Sequence, residues 1–163
     1  MNADNIDVRS LAAADVAACS DILYALPEWF GVDVANRAYI DSLRVLPGAV
    51  AVSDSQVVGF IALIEHSPAS YEIHVMGVSI PHHHRGVGTL PVRWAEAWCR
   101  VRDVAWLHVK TRGPSTYDEP YERTRRFYVA CGFVPLFESL THWGPEDAAL
   151  VLAKHVACSA PRP

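Results

Sequence analysis

Apolar and polar positions follow two periods along this chain, and the switches between them predict its elements. Ile6–Arg9 reads as a short strand. Val16, Cys19, Leu23 and Leu26 then recur at three-to-four-residue steps, the spacing of one helical face, and Pro27 ends that run. Val34–Leu46 gives a second helical stretch, and the turn signal Pro47-Gly48 leads into a strand over Ala49–Ser53. Asp54-Ser55 predicts a hairpin into Val57–Glu65. Tyr71–Ser79 is a further strand, set apart by a loop over His66–Ser70 that Pro68 and two serines mark. Three successive strands of this kind predict an antiparallel meander.

Beyond Pro81 the period turns helical again. Leu90, Trp94, Trp98 and Val101 share a face whose start is marked by Gly86, Gly88 and Thr89. Pro91 belongs in the first turn, where its missing N–H has no partner to lose. Val104–Val109 follows as a strand, Glu119–Cys131 as a helix, Phe133–Glu138 as a strand and Ala148–His155 as the last strand. The alternation predicts an α/β fold, a mixed sheet with helices on its faces, as one domain over residues 1–157. Residues 158–163 are expected to form a disordered tail.

Composition narrows the function classes. A chain of 163 residues, 51% hydrophobic and 20% charged, can build one core. Its net charge of −4 gives no broad attraction to nucleic acid or anionic lipid, so neither is an expected partner. The longest apolar runs, such as Val57–Ile64, are far shorter than the ~20 residues of a membrane-crossing helix. Cysteines at 19, 99, 131 and 158 form no Cys-x-x-Cys pair and follow no secretory leader. Free thiols in a reducing cytoplasm are therefore expected, without a disulfide framework or structural zinc.

The segment from Val78 to Gly88 links a strand to a helix through Gly86-Val87-Gly88. Such a turn lets main-chain N–H groups gather around an anion at a helix N-terminus, with Arg85 adding charge; it also fits a plain tight turn. No Gly-Lys-Ser/Thr ends the loop, and the dinucleotide fingerprint lacks its third glycine. His82, His83 and His84 are adjacent on a short loop and have no Cys or carboxylate at ligand spacing, so no metal is expected there. Along Tyr71–Val78, alternation puts Glu72, His74, Met76 and Val78 on one side and Tyr71, Ile73 and Val75 on the other.

Val78–Leu90 resembles the acetyl-coenzyme A loop of the GNAT N-acetyltransferases, whose pattern is Gln/Arg-x-x-Gly-x-Gly/Ala opening a helix. Phe127-Tyr128-x-x-Cys131-Gly132-Phe133 resembles the family's Phe/Leu-Tyr-x-x-x-Gly-Phe segment. His83 stands where the family usually has Gln or Arg, and Tyr121 where an Asn often precedes the last helix. The resemblance implies a mostly antiparallel sheet with splayed fourth and fifth strands. It also implies acetyl-coenzyme A as cosubstrate, held by Met76, Val78, His83, His84, Arg85, Gly86, Val87, Gly88, Thr89 and Tyr128. The acetyl group would pass directly to a primary amine, without a covalent enzyme intermediate or a metal.

The resemblance further implies roles for single residues. Glu72 has the spacing ahead of Gly86 at which histone-modifying members carry their base, and His74 aligns with a histidine of arylalkylamine members. The Val78 N–H would face the developing oxyanion, and Tyr128 would protonate the thiolate. Each also has a plainer reading: solvated strand residues for Glu72 and His74, a core aromatic for Tyr128. Trp29, Phe30 and Tyr39 fit an acceptor wall or simple packing. Glu28, Glu65 and Asp118, with Arg112, Arg123, Arg125 and Arg126, fit substrate or phosphate contacts or solvated surface charge. The acceptor could be a small-molecule or a protein amine, two copies could pair as a homodimer, and a catalytically silent acyl-coenzyme A-binding module is the alternative.

Overall fold

The structure, a computed structural model, describes residues 6–144 and 146–157. The tail expected over 158–163 lies outside the described residues. Strand β1 is Ile6–Ser10, helix α1 Val16–Tyr24, α2 Asp33–Ser42, β2 Gly48–Ser53, β3 Gln56–Ser67, β4 Ser70–Val78, α3 Thr89–Val101, β5 Trp106–Arg112, α4 Glu119–Ala130, β6 Val134–Ser139 and β7 Ala149–His155. Among the described residues seven strands form one mixed sheet in the order β1-β2-β3-β4-β5-β7-β6. β4 and β5 are parallel, with Ser70–Ile73 facing Trp106–Val109, whereas β5 and β6 both run antiparallel to β7. No helix of the described residues is long and apolar enough to cross a membrane.

The chain divides into two compact units. The first runs to Ile64 and resumes over His74–Ala95; the second takes Glu65–Ile73 and the chain from Glu96. In the first, the predicted face of α1 is buried: Val16, Cys19, Ile22 and Leu23 pack with Val50, Phe60, Ala62 and Val75. Burial of each Val, Leu, Ile or Phe side chain among them is worth roughly 1.5–3 kcal/mol. In the second, Leu107 and Val109 of β5, Leu152 of β7, and Tyr128 and Phe133 are buried. Cys19 and Cys99 are buried free thiols and Cys131 is a half-buried one.

Several boundaries differ from the sequence reading, α2 ending at Ser42 rather than Leu46 among them, and three have a plain physical reason. β3 runs on through His66 and Ser67, so the expected five-residue loop shrinks to Pro68-Ala69. β5 begins at Trp106 rather than Val104, because the Val104 N–H bonds back to the Cys99 carbonyl at the end of α3. It extends to Arg112, because β7 pairs with Lys110, Thr111 and Arg112 despite their polarity.

Candidate functional site

The turn entering α3 is built around one anchor. Val87 is 1% exposed and packs with Ala51 and Val58, and partly buried Val78 leans on the same cluster. Sinking Val87 leaves Gly86 outside, with φ at +76° and nothing within 4 Å of where a Cβ would stand. His84 also has positive φ, at 58°, so the backbone reverses its sense across 84–86, the arrangement in which successive N–H groups form an anion-binding concavity. Arg85 is exposed beside it. α3 then starts at Thr89, with Pro91 in its first turn as expected.

The histidines of this loop point to separate partners. His83 Nε2 donates to the Val78 carbonyl at 2.7 Å, which fixes that nitrogen as the protonated one, and its ring lies edge-on to Trp29 at 6.0 Å. His82 Nδ1 bonds Ser79 Oγ at 2.9 Å. His74, farther back on β4, meets the Tyr39 ring at 5.3 Å, and Tyr39 in turn meets Phe30 at 6.0 Å. Phe30 and Tyr39, two of the three residues considered as an acceptor wall, thus form a ring-to-ring series ending at His74, while Trp29 meets His83 instead. Asn36, which sequence reasoning missed, holds that wall: its buried amide donates to the Phe30 carbonyl at 2.8 Å.

Glu72, in the second unit, is buried among cations and imidazoles. Its Oε2 accepts from His66 Nε2 at 2.6 Å and Lys110 Nζ at 3.1 Å, with His108 Nε2 at 3.7 Å. Burial works to raise this carboxyl, but His108, Lys110 and His66 more than offset it and hold it at about 2. None of these three partners was singled out in the sequence. His66 was hidden in the expected loop, and Lys110 lay beyond the expected end of β5. The alternation that exposes Glu72, His108 and Lys110 to one another becomes readable once Glu72 and His108 are known to face each other across the parallel pair.

Tyr128 sits at the last turn of α4, buried between Phe127 and Phe133, with ring separations of 5.2 and 5.5 Å. The Phe133 N–H donates to the Tyr128 carbonyl at 3.0 Å and the Gly132 N–H to Val129 at 2.9 Å, while Gly132 has φ +88°. These are the two crossed bonds of a Schellman ending, and the Tyr128–Phe133 contact is its apolar clasp. The Tyr-x-x-x-Gly-Phe spacing is thus what that ending requires. Burial pushes the Tyr128 phenol above the ordinary tyrosine range, so it stays protonated at neutral pH.

Other candidate charges are occupied structurally. Asp118 caps α4 by accepting from the Tyr121 N–H and pairs with Arg112 at 2.8 Å. Glu65 accepts from the Tyr71 hydroxyl at 2.8 Å. Arg125 donates to the Arg112 carbonyl, and Arg126 pairs with Glu122 one helical turn away.

The sequence pattern of the acetyltransferase (GNAT) family matches residues 21–133. No curated protein matches the chain in sequence. Among solved structures, a GNAT-family protein from Desulfovibrio desulfuricans is similar at a TM-score of 0.82, with 15% identity over 93% of this chain and 99% of that one. The ribosomal-protein-S18-alanine N-acetyltransferase of Escherichia coli is similar at 0.75, with 13% identity over 97% and 98%. An aminoglycoside 6'-N-acetyltransferase complexed with coenzyme A also scores 0.75, with 17% identity over 96% and 99%.

Proposed function

The chain belongs to the acetyltransferase (GNAT) family, and on that premise we propose that it moves the acetyl group of acetyl-coenzyme A onto a primary amine. The observation that carries this reading is the turn at Gly86: a buried Val87 beneath it, open space above it, and a backbone whose sense suits an anion. Bound there, the cosubstrate supplies an activated acyl thioester and a diphosphate group. Gly86, Val87 and Gly88 would offer main-chain N–H groups to the diphosphate, with Thr89, whose own N–H donates to the Gly86 carbonyl at 3.1 Å, at the start of α3, His83, His84 and Arg85 along the loop, and Met76 and Val78 on β4. The Val78 N–H would donate to the oxygen that gains charge during transfer.

A protonated amine must lose a proton before it can attack. Glu72, held ionised down to about pH 2, already has Lys110 as its counter-charge at 3.1 Å, so it suits a positioning role beside the acceptor better than direct proton acceptance. Imidazole is the side chain that titrates nearest neutrality, so His74 is the better acceptor of that proton, with water between. Tyr128 keeps its own proton at neutral pH and would deliver it to the thiolate. One structural neighbour is named for aminoglycosides and another for a ribosomal protein's alanine, so we keep both small-molecule and protein amines as acceptors. For the homodimer we propose β6 as the seam, because it ends the sheet order and exposes Val134, Leu136 and Phe137.

The test is thiol release from acetyl-coenzyme A across a panel of aliphatic amines, aminoglycosides and peptides. Turnover on any of them supports transfer. Tight acetyl-coenzyme A binding by calorimetry, with no thiol released from any amine, would support the silent binding module instead.

A further inference from the structure

We propose that His66, Glu72 and His108 form a binding site for a divalent transition-metal ion such as zinc, with the Lys110 ammonium as the tethered cation that the ion displaces. One ligand atom from each of the three residues lies within 4.8 Å of the other two, and no other such group occurs among the described residues. The donor set, two imidazoles and a carboxylate, is one that zinc takes in three-ligand sites with an open fourth position. Tetrahedral zinc, with bonds of about 2.0–2.2 Å, puts neighbouring ligand atoms roughly 3.3 Å apart. The separations from Glu72 Oε2 straddle that figure, at 2.6 Å for His66 and 3.7 Å for His108. The third separation, between the two imidazoles, is within 4.8 Å, so the three ligand atoms already face one small volume.

The surroundings support binding at both ends of the trio. Ser70 Oγ holds His108 Nδ1 at 3.1 Å and turns Nε2 toward Glu72, the kind of outer hydrogen bond that orients a ligating imidazole. His66 has a side chain 46% exposed, so water and a metal ion can reach the site past it, while Glu72 beneath is buried. The protein already keeps one positive charge here: Lys110 Nζ lies 3.1 Å from the carboxylate oxygen that would bind the ion. A buried carboxylate demands a cation. A divalent ion competes with the ammonium for that place, so binding requires Lys110 to swing aside on its flexible stem. The run His82–His84 lacks this convergence, since His82 and His83 are turned to Ser79 and Val78.

The proposal depends on none of the transfer chemistry, and its readout is metal binding alone. Cobalt(II), a coloured zinc surrogate, is titrated into the apo-protein and its visible absorption followed, with zinc competition to obtain affinity. The wild type is expected to give the intense bands of a four-coordinate ion. His66→Ala and His108→Asn should each weaken affinity at least about tenfold. Lys110→Met, which removes the competing charge, should tighten it by on the order of tenfold. A His82→Ala/His84→Ala variant should bind as the wild type does. The proposal is overturned if Lys110→Met shows no bands at millimolar cobalt, if the bands survive in a His66→Ala/His108→Asn double variant, or if they vanish in the His82→Ala/His84→Ala variant. Circular dichroism of each variant confirms that it is folded, so that lost bands report lost ligands.

Discussion

Gly86 and Gly132 share a left-handed φ, of +76° and +88°, and each lies in one of the two motifs by which the family is read, yet their surroundings are opposite. A Cβ at Gly86 would stand in open space, whereas at Gly132 it would meet Lys154 Cε and Nζ at 3.3 Å. Lys154 has no slack, because its Nζ donates to the Cys131 carbonyl at 2.7 Å and pairs with buried Glu96 at 2.5 Å. The same residue type with the same sign of φ therefore does two jobs. At Gly86 it leaves room for something outside the chain, and at Gly132 it lets the chain close on itself.

The comparison is tested most severely at Tyr128, which the second motif holds in place. Tyr128→Phe keeps the packing with Phe127 and Phe133, so stability should change little, while turnover should fall by about 10²–10³-fold if the phenol donates the proton. Steady-state kinetics beside a melting curve separate the two, and undiminished turnover would leave Tyr128 as a clasp alone.

Gly132→Ala should cost about 1–2 kcal/mol from the left-handed backbone, plus whatever Lys154 loses in moving. Denaturant unfolding measures it, and coenzyme A affinity should hardly move. Gly86→Ala should show the reverse, with a stability loss of about 1 kcal/mol or less because the loop can relax, and cosubstrate affinity roughly tenfold weaker by calorimetry. If the two variants exchanged these phenotypes, the division between them would fail.

Acid should reach the second unit's carboxylate before it alters either glycine. Glu72 is held at about 2 in the folded chain, below its unfolded value near 4.5. Its contribution is therefore complete above about pH 4.5 and is lost as pH falls toward 2. After screening by the solvent that reaches the site, we expect about 1–2 kcal/mol over that window. Urea unfolding between pH 5 and 2.5 should be less steep with pH in Glu72→Gln than in the wild type.

The smallest effect concerns His83. His83→Ala, which removes the bond to the Val78 carbonyl and the edge contact with Trp29, should weaken coenzyme A binding about twofold by calorimetry. Equal affinity in the two proteins would assign the grip to main-chain N–H groups alone.

What was legible in the sequence was local. The α1 face, the turn before α3 with Pro91 inside it, and the Gly-Phe ending of α4 each follow from steric or hydrogen-bonding needs met within a few residues. What was not legible depended on pairing with distant strands. Lys110–Arg112 look like loop residues until β7 pairs with them, and Pro68 with its flanking serines argues for a loop that the β3–β4 connection does not need. Those two misreadings removed His66 and Lys110 from view, so Glu72 could be named but not the company that sets its charge. The aromatic residues before α2 were readable as a group, while Asn36, which pins them, gave no signal because a polar residue on a helix is ordinarily solvated.

The ending of α4 has a consequence for how the tyrosine is aimed. Because the carbonyl that completes the stop belongs to Tyr128 itself, and the rings that flank its phenol belong to Phe127 and Phe133, the helix ending and the placing of the phenol are coupled. Aim and termination are a single event, encoded in six consecutive residues. That hexapeptide should behave as a transferable bracket: grafted onto the end of an unrelated helix above an apolar floor, it should deliver a tyrosine at the same angle without help from the rest of the sheet.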